Sequence, residues 1–211
     1  MKILNLYCGI GGNRKLWGDE HDVTAVEIDS KIAKIYQDFF PNDKVIVEDA
    51  HKYLLEHYKE FDFIWSSPPC PTHSLLRNSH PEKVVYPDMK LYEEIIILQK
   101  WSKGLWVIEN VKSYYDPLII PKELQRHYFW SNFNITLKKI NKIYSRDVSR
   151  DTTEELSNNL GFKISEYSGV DKRKLLRNCV NPELGLHILN CAIGKQKQTT
   201  LNLNKEKLDE K

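Results

Sequence analysis

The chain has 211 residues, enough for one well-buried domain with a small appendage and too few for two large ones. It is 41% hydrophobic and 28% charged, the composition of a soluble protein. The formal net charge of +2 excludes a global basic field, so any nucleic-acid surface must come from local clustering. No apolar run approaches a membrane span, and the opening Met1–Tyr7 is too short and polar for a signal peptide. The four cysteines, Cys8, Cys70, Cys179 and Cys191, form no C-x-x-C pair. Reduced thiols, no metal site, no membrane partner and a cytoplasmic setting are therefore expected.

Lys2–Tyr7 reads as a strand, followed by a Gly-rich turn and a helix through about Asp19. Asp22–Glu27 is a second strand, and Ser30 is placed to cap a helix Lys31–Phe39. Lys44–Val47 is a third strand, with a helix near Ala50–Tyr58 and a fourth strand at Phe61–Trp65. Pro68 and Pro69 forbid continued helix or central strand, so a loop begins there. A helix from Pro87 or Asp88 to about Lys103 leads to a fifth strand, Leu105–Ile108. This alternation predicts an α/β fold with a doubly wound, mainly parallel sheet. The organisation changes after about Arg126. His127–Thr136 reads as strand, and Lys138–Arg150 is short, polar and basic. A helix Thr152–Asn159 is closed by Gly161, and a last helix spans roughly Lys172–Ala192, interrupted or entered near Pro182. Lys195–Lys211 is polar without an apolar face and is expected to be disordered.

The chemistry-bearing residues fall at strand ends. Asn5-Leu-Tyr-Cys-Gly9-Ile-Gly11-Gly12 suits a plain turn and a nucleotide-type cofactor loop equally; its place between strand and helix favours the second. Glu27-Ile28-Asp29 puts carboxylates about twenty positions on, where they hold ribose hydroxyls or simply end a solvated strand. Glu48-Asp49-Ala50 ends the third strand, completing a coherent pocket at the carboxyl edge. Ser67-Pro68-Pro69-Cys70 ends the fourth. Buried structural thiols are the commoner fate of cysteine, but a polar, mobile loop favours a reactive Cys70. Glu109-Asn110-Val111 adds a carboxylate beyond the fifth strand.

Together these residues resemble the cytosine-5 DNA methyltransferase family over about residues 3–194. Asn5–Gly12 is similar to its cofactor loop, Pro68-Pro69-Cys70 with Ser74 to its catalytic loop, and Glu109-Asn110-Val111 to its Glu-Asn-Val motif. Arg126 matches an arginine that assists the active site. Leu160-Gly161-Phe162 and Arg177-Asn178-Cys179-Val180-Asn181-Pro182 resemble the last two motifs. Asn5, Tyr7, Pro71 and Arg177 depart from the usual Asp, Phe, Gln and Gly.

The resemblance implies a Rossmann-like methyltransferase fold using S-adenosyl-L-methionine and releasing S-adenosyl-L-homocysteine. Tyr7, Gly9, Gly11, Gly12, Glu27, Ile28, Asp49, Ala50, Pro68, Asn178 and Val180 would bind the cofactor. Cys70 would add to carbon 6 of a flipped cytosine, Glu109 would bond N3 and the amino group, and Arg126 would clamp the same edge. The implied partner is DNA, with a tRNA-modifying enzyme of the same fold or a catalytically inactive nucleic-acid-binding regulator as alternatives. A monomer in a bacterium or phage-infected cell is expected. Residues 1–136 would form the catalytic domain, 137–171 a minimal recognition segment, 172–194 a returning helix and 195–211 a flexible tail. Lys138, Lys139, Lys142, Arg146 and Arg150, with Lys172, Arg173, Lys174 and Arg177, would meet phosphates. In the tail, Gln198, Leu201 and Leu203 resemble a peptide that docks on the bacterial sliding clamp.

Overall fold

The computed structural model describes residues 1–79, 82–141, 143 and 151–194. Lys142, Arg146, Arg150 and the tail residues Gln198, Leu201 and Leu203 lie outside the described residues. The strands are β1 (Lys2–Leu6), β2 (Asp22–Glu27), β3 (Lys44–Val47), β4 (Phe63–Ser66), β5 (Leu105–Val111), β6 (Lys122–Leu124) and β7 (His127–Ser131). They form one seven-stranded sheet in the order β3-β2-β1-β4-β5-β7-β6. β1 to β5 are parallel, while β7 runs antiparallel to both β5 and β6. The helices are α1 (Ser30–Phe39), α2 (Ala50–His57), α3 (Lys90–Trp101), α4 (Thr153–Leu160), α5 (Lys172–Arg177) and α6 (182–194).

The sheet is buried on both faces, and the two-residue period of its strands assigns each side chain to one of them. Ile3, Phe63, Trp65, Val107 and Phe129 face α6, where they meet Leu184, Ile188 and Leu189. Leu4, Leu6, Ile64, Ile108 and Trp130 face the opposite layer, packed on Leu54 of α2 and Leu91, Ile95 and Leu98 of α3. A third cluster joins Ile35 of α1 to Leu156, Leu160, Phe162 and Leu176 in and around α4 and α5.

Several local readings change. The segment after the Gly-rich turn makes turns and no helix through Asp19. Its polar side chains are drawn inward instead: Asn13 and Asn5 exchange amide hydrogen bonds, and Arg14 pairs with Asp43. Asp29, not Ser30, caps α1, because its carboxylate accepts from the amides of Lys31 and Ile32. β5 runs three residues further than expected, so Glu109 and Asn110 are strand residues hydrogen-bonded to β7. The last helix is two. α5 stops at Arg177, and Asn181 starts α6 by accepting from the Glu183 amide, with Pro182 at the first helical position. The strand read over His127–Thr136 ends at Ser131, and β6 was not anticipated. The capping box of Thr152 and Glu155 and the left-handed Gly161 frame α4 as its sequence suggests.

The Arg14–Asp43 pair holds the glycine turn to the end of α1. Both side chains are almost fully buried, Arg14 reaches Asp43 at 2.9 Å, and the Tyr36 hydroxyl donates to the same carboxylate at 2.7 Å. Among the described residues, replacing Asp43 by alanine leaves the buried guanidinium with only the exposed Asp19 carboxylate, 3.5 Å away. We expect Asp43→Ala to lose about 3–5 kcal/mol of stability, read by urea denaturation against the wild type.

Candidate active site

β1 to β5 deliver their carboxyl ends to one edge, where a cleft of about 600 Å³, counting its open mouth, is lined by Tyr7, Glu27, Ile28, Asp49, Ala50, Pro68, Pro69, His73, Asp88, Lys90 and Leu91. Six of the residues expected to bind a cofactor are there: Tyr7, Glu27, Ile28, Asp49, Ala50 and Pro68. The Glu27 carboxylate is fixed by the amides of Gly9 at 3.1 Å and Asp29 at 3.0 Å, which leaves lone pairs for a diol. Ile28 is 69% exposed beside this carboxylate, an apolar platform suited to the face of a planar ring. Asp49 caps α2 through His51 and Lys52, and its second oxygen lies 3.9 Å from the Lys90 ammonium. The donor set fits a ribonucleoside.

Tyr7 forms one wall in a left-handed conformation, φ 53°, unusual for a residue with a Cβ. Its hydroxyl donates to the buried Glu94 carboxylate at 2.7 Å, which holds the ring there. Burial and Glu94 push its phenol far above the usual range. Glu94 also accepts from the Ser66 hydroxyl at 2.6 Å and lies 3.0 Å from His51 Nδ1. Its hydrogen bond to His51 raises the His51 pKa, against burial, which lowers it.

Gly9, Gly11, Gly12, Asn178 and Val180 do not line this cleft. Gly12 instead lies against the last motif: a Cβ there would come within 2.7 Å of the Cys179 Cβ and the Val180 carbonyl. Gly185 of α6 is equally tight, its place for a Cβ only 2.3 Å from the Asn13 carbonyl. The two glycines allow the C-terminal segment to seat on the back of the glycine turn.

Cys70 opens the loop after β4, half-buried. The loop expected to be mobile is hydrogen-bonded over its first turns. His73 and Ser74 donate to the Cys70 carbonyl, Leu75 donates to that of Lys112, and Tyr114 donates to that of His73. The Asn110 amide donates to the Pro68 carbonyl at 3.0 Å, tying Pro-Pro-Cys to β5. Burial pushes the Cys70 thiol up and Glu109 adds to this, while Arg126 and Lys174 pull it down.

Glu109 is 6% exposed. Burial pushes its carboxyl up to about 7, against a hydrogen bond from Ser67 and the Arg126 cation. Trp65 Nε1 donates to Ser67 Oγ at 2.9 Å, which leaves that hydroxyl's proton for Glu109. Arg126 sits in the two-residue turn between β6 and β7, next to Gln125 with its φ of 54°, and donates to the Arg177 carbonyl at 3.1 Å. The cluster therefore joins a thiol, a carboxyl near its midpoint at neutral pH and a guanidinium, beside the cleft. Nearby in α5, Lys172 reaches the Ser165 carbonyl and Arg173 that of Asp151.

Sequence reading missed His127, which lies 3.6 Å from Glu109, and the cleft residues His73, Asp88, Lys90 and Leu91. It also missed Glu94, although Glu94 interrupts the apolar stripe Leu91, Ile95, Leu98, a signal available from helical periodicity. Among the described residues no group of three or more His, Cys, Asp or Glu side chains is placed to hold a metal. No described helix is long and apolar enough to cross a membrane.

The seven-stranded, mainly parallel sheet with this cleft at its carboxyl edge is a Rossmann-like α/β fold. The family of C-5 cytosine-specific DNA methylases matches residues 1–143, and the chain belongs to that family. Its methyl donor is S-adenosylmethionine, and the methylated atom is carbon 5 of cytosine. The fold is also that of the Entamoeba histolytica methyltransferase EhMeth, with a TM-score of 0.57 at 11% identity, covering 93% of this chain and 98% of that one. A Spodoptera frugiperda DNMT2 mutant gives a TM-score of 0.56 at 15% identity, covering 91% of this chain and 99% of that one. A comparison with curated proteins found no match.

The neighbouring Glu109 charge is one cause of the raised Cys70 thiol pKa. Glu109→Gln removes that charge while keeping the shape. We expect the rate of Cys70 alkylation by iodoacetamide to rise at lower pH in Glu109→Gln than in the wild type. An unmoved alkylation profile would show that the Glu109 charge does not act on the thiol.

Proposed function

We propose that the chain methylates cytosine in DNA, with Cys70 as nucleophile, Glu109 as the partner of N3 and the amino group, and Arg126 as a clamp on the same edge. The observation that supports this most is the grouping of these three around a carboxyl whose pKa is about 7, beside a cleft that fits the cofactor. The family's description as a DNA methylase favours DNA over RNA.

When bound, S-adenosylmethionine supplies an electrophilic methyl group. Carbon 5 of cytosine is a poor nucleophile, so the ring needs activation. The Cys70 thiolate adds to carbon 6, and negative charge builds toward N3. Glu109, with its midpoint near neutral pH, is matched to donate a proton there and take it back. Once carbon 5 has taken the methyl group, its proton is lost to solvent, the 5,6 double bond re-forms and Cys70 leaves as the thiolate. A stacked base cannot reach a thiol in this loop, so the target cytosine is flipped or single-stranded. Phosphate contacts fall to Lys138, Lys139 and the basic face of α5 with Lys172, Lys174 and Arg177. A recognition segment this short, roughly residues 138–151, reads about two or three base pairs.

The test is labelled methyl transfer to DNA and tRNA assayed side by side, followed by sequencing of the methylated positions. We expect DNA to be the substrate. Cys70→Ser should lower transfer by about a thousandfold or more while binding of S-adenosylhomocysteine, measured by calorimetry, stays at the wild-type level. Preferred transfer to tRNA would overturn the substrate, and substantial turnover by Cys70→Ser would overturn the mechanism.

A further inference from the structure

His127 and Glu109 are brought together by strand register. β5 and β7 pair antiparallel with Glu109 opposite Phe129 and Val111 opposite His127. Side chains two apart on one strand share a face, so Glu109 and His127 are diagonal neighbours on the same face, within reach of long side chains. The Nε2 of His127 lies 3.6 Å from Oε1 of Glu109, and both side chains are more than nine-tenths buried. Phe129 stands edge-on to the imidazole, with ring centres 6.2 Å apart.

The other ring nitrogen decides the tautomer. His127 Nδ1 is buried and has no hydrogen-bond partner in the protein. An imidazole carries one proton when neutral, and a buried N–H with nothing to donate to is costly. The proton therefore belongs on Nε2, which faces the Glu109 oxygen, and Nδ1 is left as a bare lone pair. The ring itself stays neutral, because burial and the Arg126 cation depress its pKa to about 3.

We propose that His127 is a positioning residue for Glu109: its Nε2–H donates to Oε1 and sets the plane of the carboxyl, so that the remaining oxygen meets the target base. The assignment rests on the role of Glu109 given above. The present 3.6 Å is slightly long for a hydrogen bond, and catalytic hydrogen bonds of this kind tighten when substrate binds. The groups acting on Glu109 come from every surrounding element. Ser67 follows β4, Arg126 lies in the turn before β7, His127 is on β7, and Cys70 lies in the loop beyond Ser67. Arg126 and Ser67 favour the ionised carboxyl, and the His127 N–H does the same without adding a charge to the site.

The experiment compares wild type, His127→Phe and His127→Gln. Phenylalanine keeps a ring of similar size without a donor, and glutamine offers a neutral N–H near the Nε2 position. The first readout needs no turnover: the titration of Glu109 by the 13C shift of its carboxyl in labelled protein, assigned by its loss in Glu109→Gln. A donor to the charged form lowers a carboxyl pKa, so its removal raises it. We expect the Glu109 midpoint to rise by about one pH unit in His127→Phe, the scale of one hydrogen bond, and to stay near wild type in His127→Gln. The second readout is single-turnover methyl transfer. It should fall about tenfold in His127→Phe, with its pH profile moved in the same direction, and recover in His127→Gln. Binding of S-adenosylhomocysteine and thermal melting control for folding. A Glu109 midpoint that is unmoved in His127→Phe, or that moves equally in both variants, overturns the proposal. A moved midpoint with no dependence of transfer on Glu109→Gln would instead overturn the catalytic role of Glu109 and leave the His127 contact standing.

Discussion

A single buried carboxylate holds the cofactor side of this molecule in shape. Glu94 is fully removed from solvent, and such a group is expensive to bury unless its oxygens are saturated. Its partners come from different elements: Tyr7 after β1, Ser66 at the end of β4 and His51 in α2, while Glu94 itself belongs to α3. Parallel strands are held to each other by the ladder along their length, but nothing in the ladder fixes where their carboxyl ends point. The Glu94 bonds do so from below. They set the Tyr7 wall of the cleft in its left-handed conformation, and they anchor the residue from which Ser67-Pro68-Pro69-Cys70 departs. The position of the thiol thus follows from a carboxylate that never meets it.

The opposite face of the sheet is held by close backbone approach. Gly12 leaves room for Cys179 and Val180, and Gly185 leaves room for the Asn13 carbonyl, so residues far apart in sequence share one contact. Arg126 joins the same region through the Arg177 carbonyl. A motif resembling a cofactor-covering segment therefore serves here as the support of the glycine turn. Cys179 and Val180 meet the glycine turn at Gly12.

How much of this was legible in the sequence depends on the range of the interactions. β2 and β3 could be read to the residue because each is a short apolar run between polar turns, and the local signal is complete. That Cys70, Glu109, Glu27 and Asp49 come to one edge was legible because strand ends in such a sheet meet there. The absent helix after Gly12 was not, since Asn13 and Arg14 turn inward to Asn5 and Asp43, partners set by the tertiary fold. β5 was cut short because Glu109 and Asn110 look like strand-ending residues, and only the antiparallel β7 beside them keeps them in the ladder. His127 was invisible as a site residue for the same reason, because its nearness to Glu109 is a property of register.

Buried polar atoms without a protein partner occur in the framework, at Trp17 Nε1 and His21, as well as near the reactive edge. Glu94, the Arg14–Asp43 pair and the Asn5–Asn13 amides are all bonded within the protein. Two of the unpartnered atoms belong to histidines of the catalytic side. His73 bonds Tyr115 through Nδ1 at 2.6 Å, but its Nε2 is buried without a protein partner, as is Nδ1 of His127. Each such atom costs about 1–3 kcal/mol relative to a satisfied one. Glu109 adds to that strain, since burial holds its carboxyl near 7, where neither protonation state is strongly preferred. A framework that over-determines its own geometry is what allows the edge to stay under-satisfied. The unpartnered Nδ1 of His127 and the Glu109 carboxyl, held near 7 by burial, are costs that the bonded framework has to carry.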